Sequence, residues 1–123
     1  MTRRIFLAVT LTLATTAALA QGPSERRLQC DRGPAGSRMF GGSAWDLYGC
    51  NDDRSVAIVT ARGNPALPFY FLFVERDGKY TLSGEGTGRA EFTRQAYDEL
   101  RRLSQQDIEA LAKEASKAKP ATQ

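Results

Sequence analysis

The chemistry open to this chain is narrowed by what it holds: two cysteines, fourteen acidic side chains and no histidine. Without an imidazole there is no Ser–His or Cys–His nucleophile pair, no imidazole base and no histidine-ligated metal. Cys30 and Cys50 are the only thiols, and in an oxidising compartment they pair as a disulfide. The closed loop of about 20 residues would constrain the unfolded chain by roughly 3 kcal/mol in the chain-entropy account. A metal-binding thiol pair would need further ligands that the sequence lacks.

Carboxylates are the remaining reactive groups. Asp52, Asp53, Glu75 and Glu85 fall at strand ends or in loops, where catalytic groups often sit. Two carboxyls about 5–9 Å apart could hydrolyse a glycosidic bond, but nothing in the sequence forces any pair together, so they read as turn formers and solvated edge charges. Asn51-Asp52-Asp53 could hold calcium with loop carbonyls, yet it lacks the spacing of a calcium loop. Gly84-x-Gly86-x-Gly88 has the wrong third spacing for a dinucleotide fingerprint, and no strand follows to close a βαβ unit. These glycines read as the chain's exit from a crowded sheet, and no cofactor is expected. The candidate contact residues are Glu85, Thr87 and Arg89 on this exit and Tyr70 before it. Tyr48 and Trp45 could join Tyr70 in an exposed patch, because such rings add contact area at low entropic cost. The competing expectation is that the disulfide-pinned segment, with Trp45 and Leu47, packs over that sheet face.

The elements that would position these groups centre on Pro68–Gly84. Phe69 to Glu75 alternates as a strand, and Asp77-Gly78 is a dipeptide favoured in a type I′ hairpin. A two-residue loop sets Glu75 opposite Tyr80, Phe73 opposite Leu82 and Phe71 opposite Gly84. Phe69, Phe71, Phe73, Tyr80 and Leu82 then share one face, the expected main core, while Tyr70, Leu72, Val74, Thr81 and Ser83 share the other. That second face is expected to be only partly covered, or to bind something.

Ahead of the hairpin, Cys30 to Gly42 is glycine-rich and reads as loop. Trp45 to Tyr48 reads as a short strand, Asn51 to Arg54 as a turn and Ser55 to Ala61 as a β-branched strand. Behind it, Thr93 is the expected N-cap of a first helix, with Phe92 and Tyr97 as its hydrophobic staple. Phe92, Ala96, Leu100 and Leu103 would form its apolar stripe. Ser104 caps a second helix with Asp107 in a capping box, and Ile108, Leu111, Ala112 and Ala115 form that helix's stripe. Strands first and helices last argue for an α+β fold: a small antiparallel sheet of three to four strands with two C-terminal helices packed on one face.

Residues 1–20 read as a signal peptide: Arg3 and Arg4, an apolar run, then Ala18-Leu19-Ala20 at the cleavage point. Thr2 to Leu7 also resembles the twin-arginine export signal, and both export routes stay open. Two of the 17 basic residues and none of the 14 acidic ones lie in this leader, which leaves 15 against 14. Mixed charges in near balance give no nucleic-acid footprint, and no segment of the mature chain is apolar enough to span a membrane. The expected organisation is a leader over 1–20, a flexible disulfide-pinned segment over 21–44, an α+β domain over 45–118 and a disordered tail over 119–123.

Tyr48-Gly49-Cys50 and Thr87-Gly88-Arg89-Ala90 resemble landmarks of the periplasmic lysozyme inhibitors of the membrane-bound C-type family. Those are small exported disulfide proteins whose Ser-Gly loop enters the lysozyme site. The resemblance implies that Thr87 and Arg89 contact an enzyme. It covers these two short stretches alone. That family is all-β with a later partner cysteine, whereas two helices follow here and the partner is upstream at Cys30, so the chain is not assigned to it. The expected function is an exported, non-enzymatic binding module, periplasmic or secreted, for an envelope or extracellular protein or glycan. A carboxylate-dependent hydrolase of cell-wall glycan is the alternative.

Overall fold

The computed structural model describes residues 27–120. The expected leader, the start of the lead-in and residues 121–123 lie outside them. Within the described residues the chain forms β1 (Ser37–Phe40), β2 (Ser43–Gly49), β3 (Val56–Thr60), β4 (Phe69–Arg76) and β5 (Lys79–Gly86), then α1 (Ala90–Leu100) and α2 (Gln105–Ser116). The strands make one antiparallel sheet in sequential order, as short connections between neighbours require.

The β4–β5 hairpin follows directly from its turn. Asp77 and Gly78 take φ of 52° and 79°, the positive values of a type I′ turn. The register pairs Glu75 with Tyr80, Phe73 with Leu82 and Phe71 with Gly84, as the sequence predicts.

The sheet has five strands rather than three or four. The additional strand is β1, inside the stretch read as loop from Cys30 to Gly42. It is joined to β2 by Gly41-Gly42, with φ of 59° and 78°, a second two-residue turn with both residues at positive φ. The strand's apolar content is too low to mark it: Ser37 and Met39 are exposed, and only Phe40 is buried.

One face of the sheet carries the core. Trp45, Leu47, Val56, Ile58, Phe71 and Phe73 pack with Ala96 and Leu100 of α1 and Ile108, Ala112 and Ala115 of α2. Phe69, Tyr80 and Leu82 are partly buried against the same cluster. The hairpin face expected to receive the helices therefore does so. Trp45 is fully buried there, its ring 5.2 Å from that of Phe71, and its indole N–H donates to the Phe40 carbonyl at 3.1 Å.

The second helix is the expected one. The Ser104 hydroxyl accepts from the Asp107 N–H, and the Asp107 carboxylate accepts from the Ser104 N–H, both at 3.1 Å. The first helix starts earlier than expected. Arg89, not Thr93, is its N-cap and makes no side-chain cap; Thr93 lies inside the first turn and donates its hydroxyl to the Ala90 carbonyl at 3.3 Å. The start is set by docking of the chain before it. The N–H groups of Thr87 and Gly88 both donate to the Pro68 carbonyl, at 3.1 and 3.0 Å. A Cβ on Gly88 would lie 1.8 Å from the Ala66 carbonyl oxygen, so only glycine permits this approach.

Candidate functional site

With both helices on one side, the opposite side of the sheet is helix-free. Alternation along the strands brings Asp46, Val59, Tyr70 and Glu85 into one row across β2 to β5, and Tyr48, Ala57, Leu72 and Ser83 into the next. Val59, Leu72 and Val74 are half-buried, and Tyr70 is 38% exposed. The expectation of a partly covered face matches this arrangement.

Among the described residues, the N-terminal segment contributes Arg27, Leu28 and Cys30 to this face. Its anchor is the Cys30–Cys50 disulfide, whose Cys50 end is fully buried. Asn51 adds a clip: its side chain accepts from the Gln29 N–H at 3.1 Å and donates to the Arg27 carbonyl at 3.0 Å, while its N–H donates to the Gln29 carbonyl at 2.8 Å. Held this way, Leu28 forms a wall between two concavities. One, of about 320 Å³, is lined by Leu28, Cys30, Ala57, Val59, Tyr70 and Leu72. The other, of about 640 Å³, is lined by Leu28, Asn51, Asp52, Val74, Glu75 and Arg76 among others.

The four candidate contact residues divide. Tyr70 and Glu85 come together, the tyrosine hydroxyl donating to the glutamate at 2.7 Å. That bond, with smaller contributions from burial and from the carboxylate's charge, raises the Tyr70 hydroxyl above the ordinary tyrosine range. Thr87 and Arg89 belong to the corner between β5 and α1. Arg89 pairs with Glu91 at 2.5 Å and lies over the Phe92 ring, 5.5 Å from its centroid. Tyr48 is half-buried on the helix-free face, but Trp45 is not part of an exposed patch. It and Leu47 occupy the opposite face, because β2 presents its odd-numbered residues to the helices.

The other carboxylates are taken up by loop structure. Burial opposes ionisation of Asp52, but its bonds from the Ser55 hydroxyl and from the N–H groups of Ser55 and Arg54 outweigh it and hold the carboxyl below its ordinary value. Asp53, at φ 58°, is ion-paired with Arg32. Glu75 accepts from the Gly78 N–H at 2.7 Å and faces the Arg54 guanidinium at 3.6 Å. The side-chain oxygen of Asn51, both carboxylate oxygens of Asp52 and one of Asp53 are thus bound to protein donors. Among the described residues no three histidine, cysteine or acidic side chains gather as a metal site.

The glycines at the sheet exit serve packing. A Cβ on Gly84 would lie 2.8 Å from the Phe69 ring and 2.9 Å from that of Phe71, and β5 runs on as strand through Gly86. Sequence reasoning did not find Ser55 or Leu28. Ser55 is 1% exposed and links the Asp52 turn to β4 by accepting from the Glu75 N–H at 3.1 Å. An Asp three residues before a Ser at a strand start was its only local signal. Among the described residues, no helix is long and apolar enough to cross a membrane. No family model, curated protein or solved structure matches the chain.

Proposed function

We propose that this protein is an exported, non-enzymatic binding module of the cell envelope or its surroundings, and that it contacts its partner through the helix-free sheet face. The observation that carries this reading is the Tyr70–Glu85 pair standing open beside the concavity walled by Leu28, Val59 and Leu72. A tyrosine ring with an adjacent carboxylate offers an apolar platform and an acceptor for hydroxyl or amide donors. That chemistry suits a protein surface or a glycan. Export is supported by the leader-like residues 1–20 and by the disulfide.

The test is capture from envelope and extracellular fractions, and from a glycan array, on immobilised disulfide-bonded protein. A partner retained by wild type and lost with both Tyr70→Ala and Glu85→Gln supports the reading. Equal retention by all three proteins overturns it.

A second reading, hydrolysis of cell-wall glycan, has one observation in its favour: Asp52 and Glu75 line the same concavity. Against it, the fold's own donors engage both carboxylates: Asp52 accepts from the Ser55 hydroxyl and from the N–H groups of Arg54 and Ser55, and Glu75 accepts from the Gly78 N–H and faces the Arg54 guanidinium. Release of soluble fragments from cell-wall glycan, abolished in Glu75→Gln, would establish it over the binding reading.

A further inference from the structure

β5 is an edge of the sheet, and it lacks the backbone devices that turn an edge away from pairing. It is eight residues long, contains no proline and pairs with β4 in unbroken register from Arg76–Lys79 to Phe69–Gly86, so no bulge turns it aside. The opposite edge, β1, is four residues long and carries Arg38, which is ion-paired to Glu114 of α2. Short edges resist pairing; β5 is twice as long, and its two charges, Lys79 and Glu85, are of opposite sign.

The alternation of the ladder defines what β5 offers. In a two-residue hairpin the closing pair, Arg76 and Lys79, exchanges hydrogen bonds, and every second pair after it does the same. Lys79, Thr81, Ser83 and Glu85 therefore point their backbone groups at β4. Tyr80, Leu82 and Gly84 point theirs outward. The same alternation is visible on the other side of β4, where the N–H groups of Phe69 and Glu75 turn toward Thr60 and Ser55. Among the described residues, the outward groups of Tyr80, Leu82 and Gly84 take no hydrogen bond from a loop or side chain.

We infer that β5 pairs with β5 of a second copy of this chain, antiparallel about a two-fold axis through Leu82. The sequence of the edge is self-complementary in that register. Leu82 meets Leu82 of the second copy, and Tyr80 meets Gly84, which matches every outward donor with an outward acceptor. The side chains agree with the backbone. Lys79 falls opposite Glu85 of the second copy and Thr81 opposite Ser83, all on the helix-free face, so two Lys–Glu pairs close the strand's ends. Moving the axis one residue either way sets Lys79 against Ser83 or Thr87 and loses both pairs. The axis is perpendicular to the sheet, so the helices of both copies stay on one side and the helix-free faces join into one ten-stranded surface. A contact one strand edge wide lies at the small end of interface sizes, so the association is weak and concentration-dependent. This inference does not rest on the proposed function.

Sedimentation equilibrium of the disulfide-bonded protein, over a concentration series reaching the millimolar range, tests it. Wild type is expected to show a monomer–dimer equilibrium. Lys79→Glu places like charges opposite each other twice and weakens dimerisation by roughly tenfold, and K79E/E85K, with the charges exchanged, restores it. Mixed Thr81→Cys and Ser83→Cys chains should form the hetero-disulfide faster than either chain alone forms a homodimer, because a non-hydrogen-bonded pair sets Cα atoms about 4.5 Å apart. A monomer throughout the series overturns the inference. So does a dimer indifferent to Lys79→Glu and without preference for the mixed cross-link.

Discussion

Ser55 shows how much structure one small side chain can hold together. Its hydroxyl donates to Asp52 at 2.6 Å and accepts the Glu75 N–H at 3.1 Å. Ser55→Ala leaves a part-buried N–H without its partner and also removes the hydroxyl bond to Asp52, and should destabilise by about 1–3 kcal/mol in urea unfolding. The acid side of the stability curve should change with it. Asp52 has a carboxyl depressed below 3.8 in the fold, so its contribution is complete above the unfolded value and is lost as pH falls through the lower folded one. Wild type should therefore lose stability below about pH 4, and Asp52→Asn should flatten that slope. An unchanged slope would mean that Asp52 does not lock the turn. None of this was visible as a site in the sequence. Asp52 read correctly as a turn former, but Ser55 drew no attention because its importance lies in a contact with β4, twenty residues on.

At the scale of elements, the two helices contrast. α2 carries its start signal locally in the Ser104–Asp107 box, whereas α1 begins where the sheet releases it. Ser104→Ala should cost about 1 kcal/mol. Thr93→Ala should stay within about 0.5 kcal/mol, since Thr93 caps nothing. Thermal unfolding of the two variants separates these cases, and equal losses would return the start of α1 to Thr93. The strands divide in the same way. The β4–β5 register follows from alternation and a turn dipeptide, both local. β1 was missed, although Gly41-Gly42 is as good a hairpin signal as Asp77-Gly78, because Ser37 to Phe40 has too little apolar patterning to stand out among glycines.

For the molecule as a whole, the disulfide is the tie between the N-terminal segment and the sheet. Beyond it, Arg32 bridges both Gly49 and Pro120, so the two ends of the described chain meet beside β2. Reduction under denaturant should lower the stability by about 3 kcal/mol relative to the oxidised protein, the loop-closure value for this span. A loss below about 1 kcal/mol would mean that the Asn51 clip and the Arg32 bridges hold the segment by themselves. The same tie governs the helix-free face, since it keeps Leu28 between the two concavities.

What the sequence determined by itself were the features whose cause lies within a few residues: the hairpin register, the α2 capping box, the apolar stripes of both helices, and a cysteine pairing with only one possible partner. They made the α+β class and the core face of the hairpin legible in advance. The tertiary structure decided everything that depends on which surfaces meet. It sent Trp45 and Leu47 to the helix side, added β1, started α1 at Ala90 and separated Tyr70 and Glu85 from Thr87 and Arg89. The physical reason is that alternation along a strand tells which residues share a face but not which face will find the helices. That choice follows from packing among segments distant in the chain, and it left Tyr70 and Glu85 on the open side.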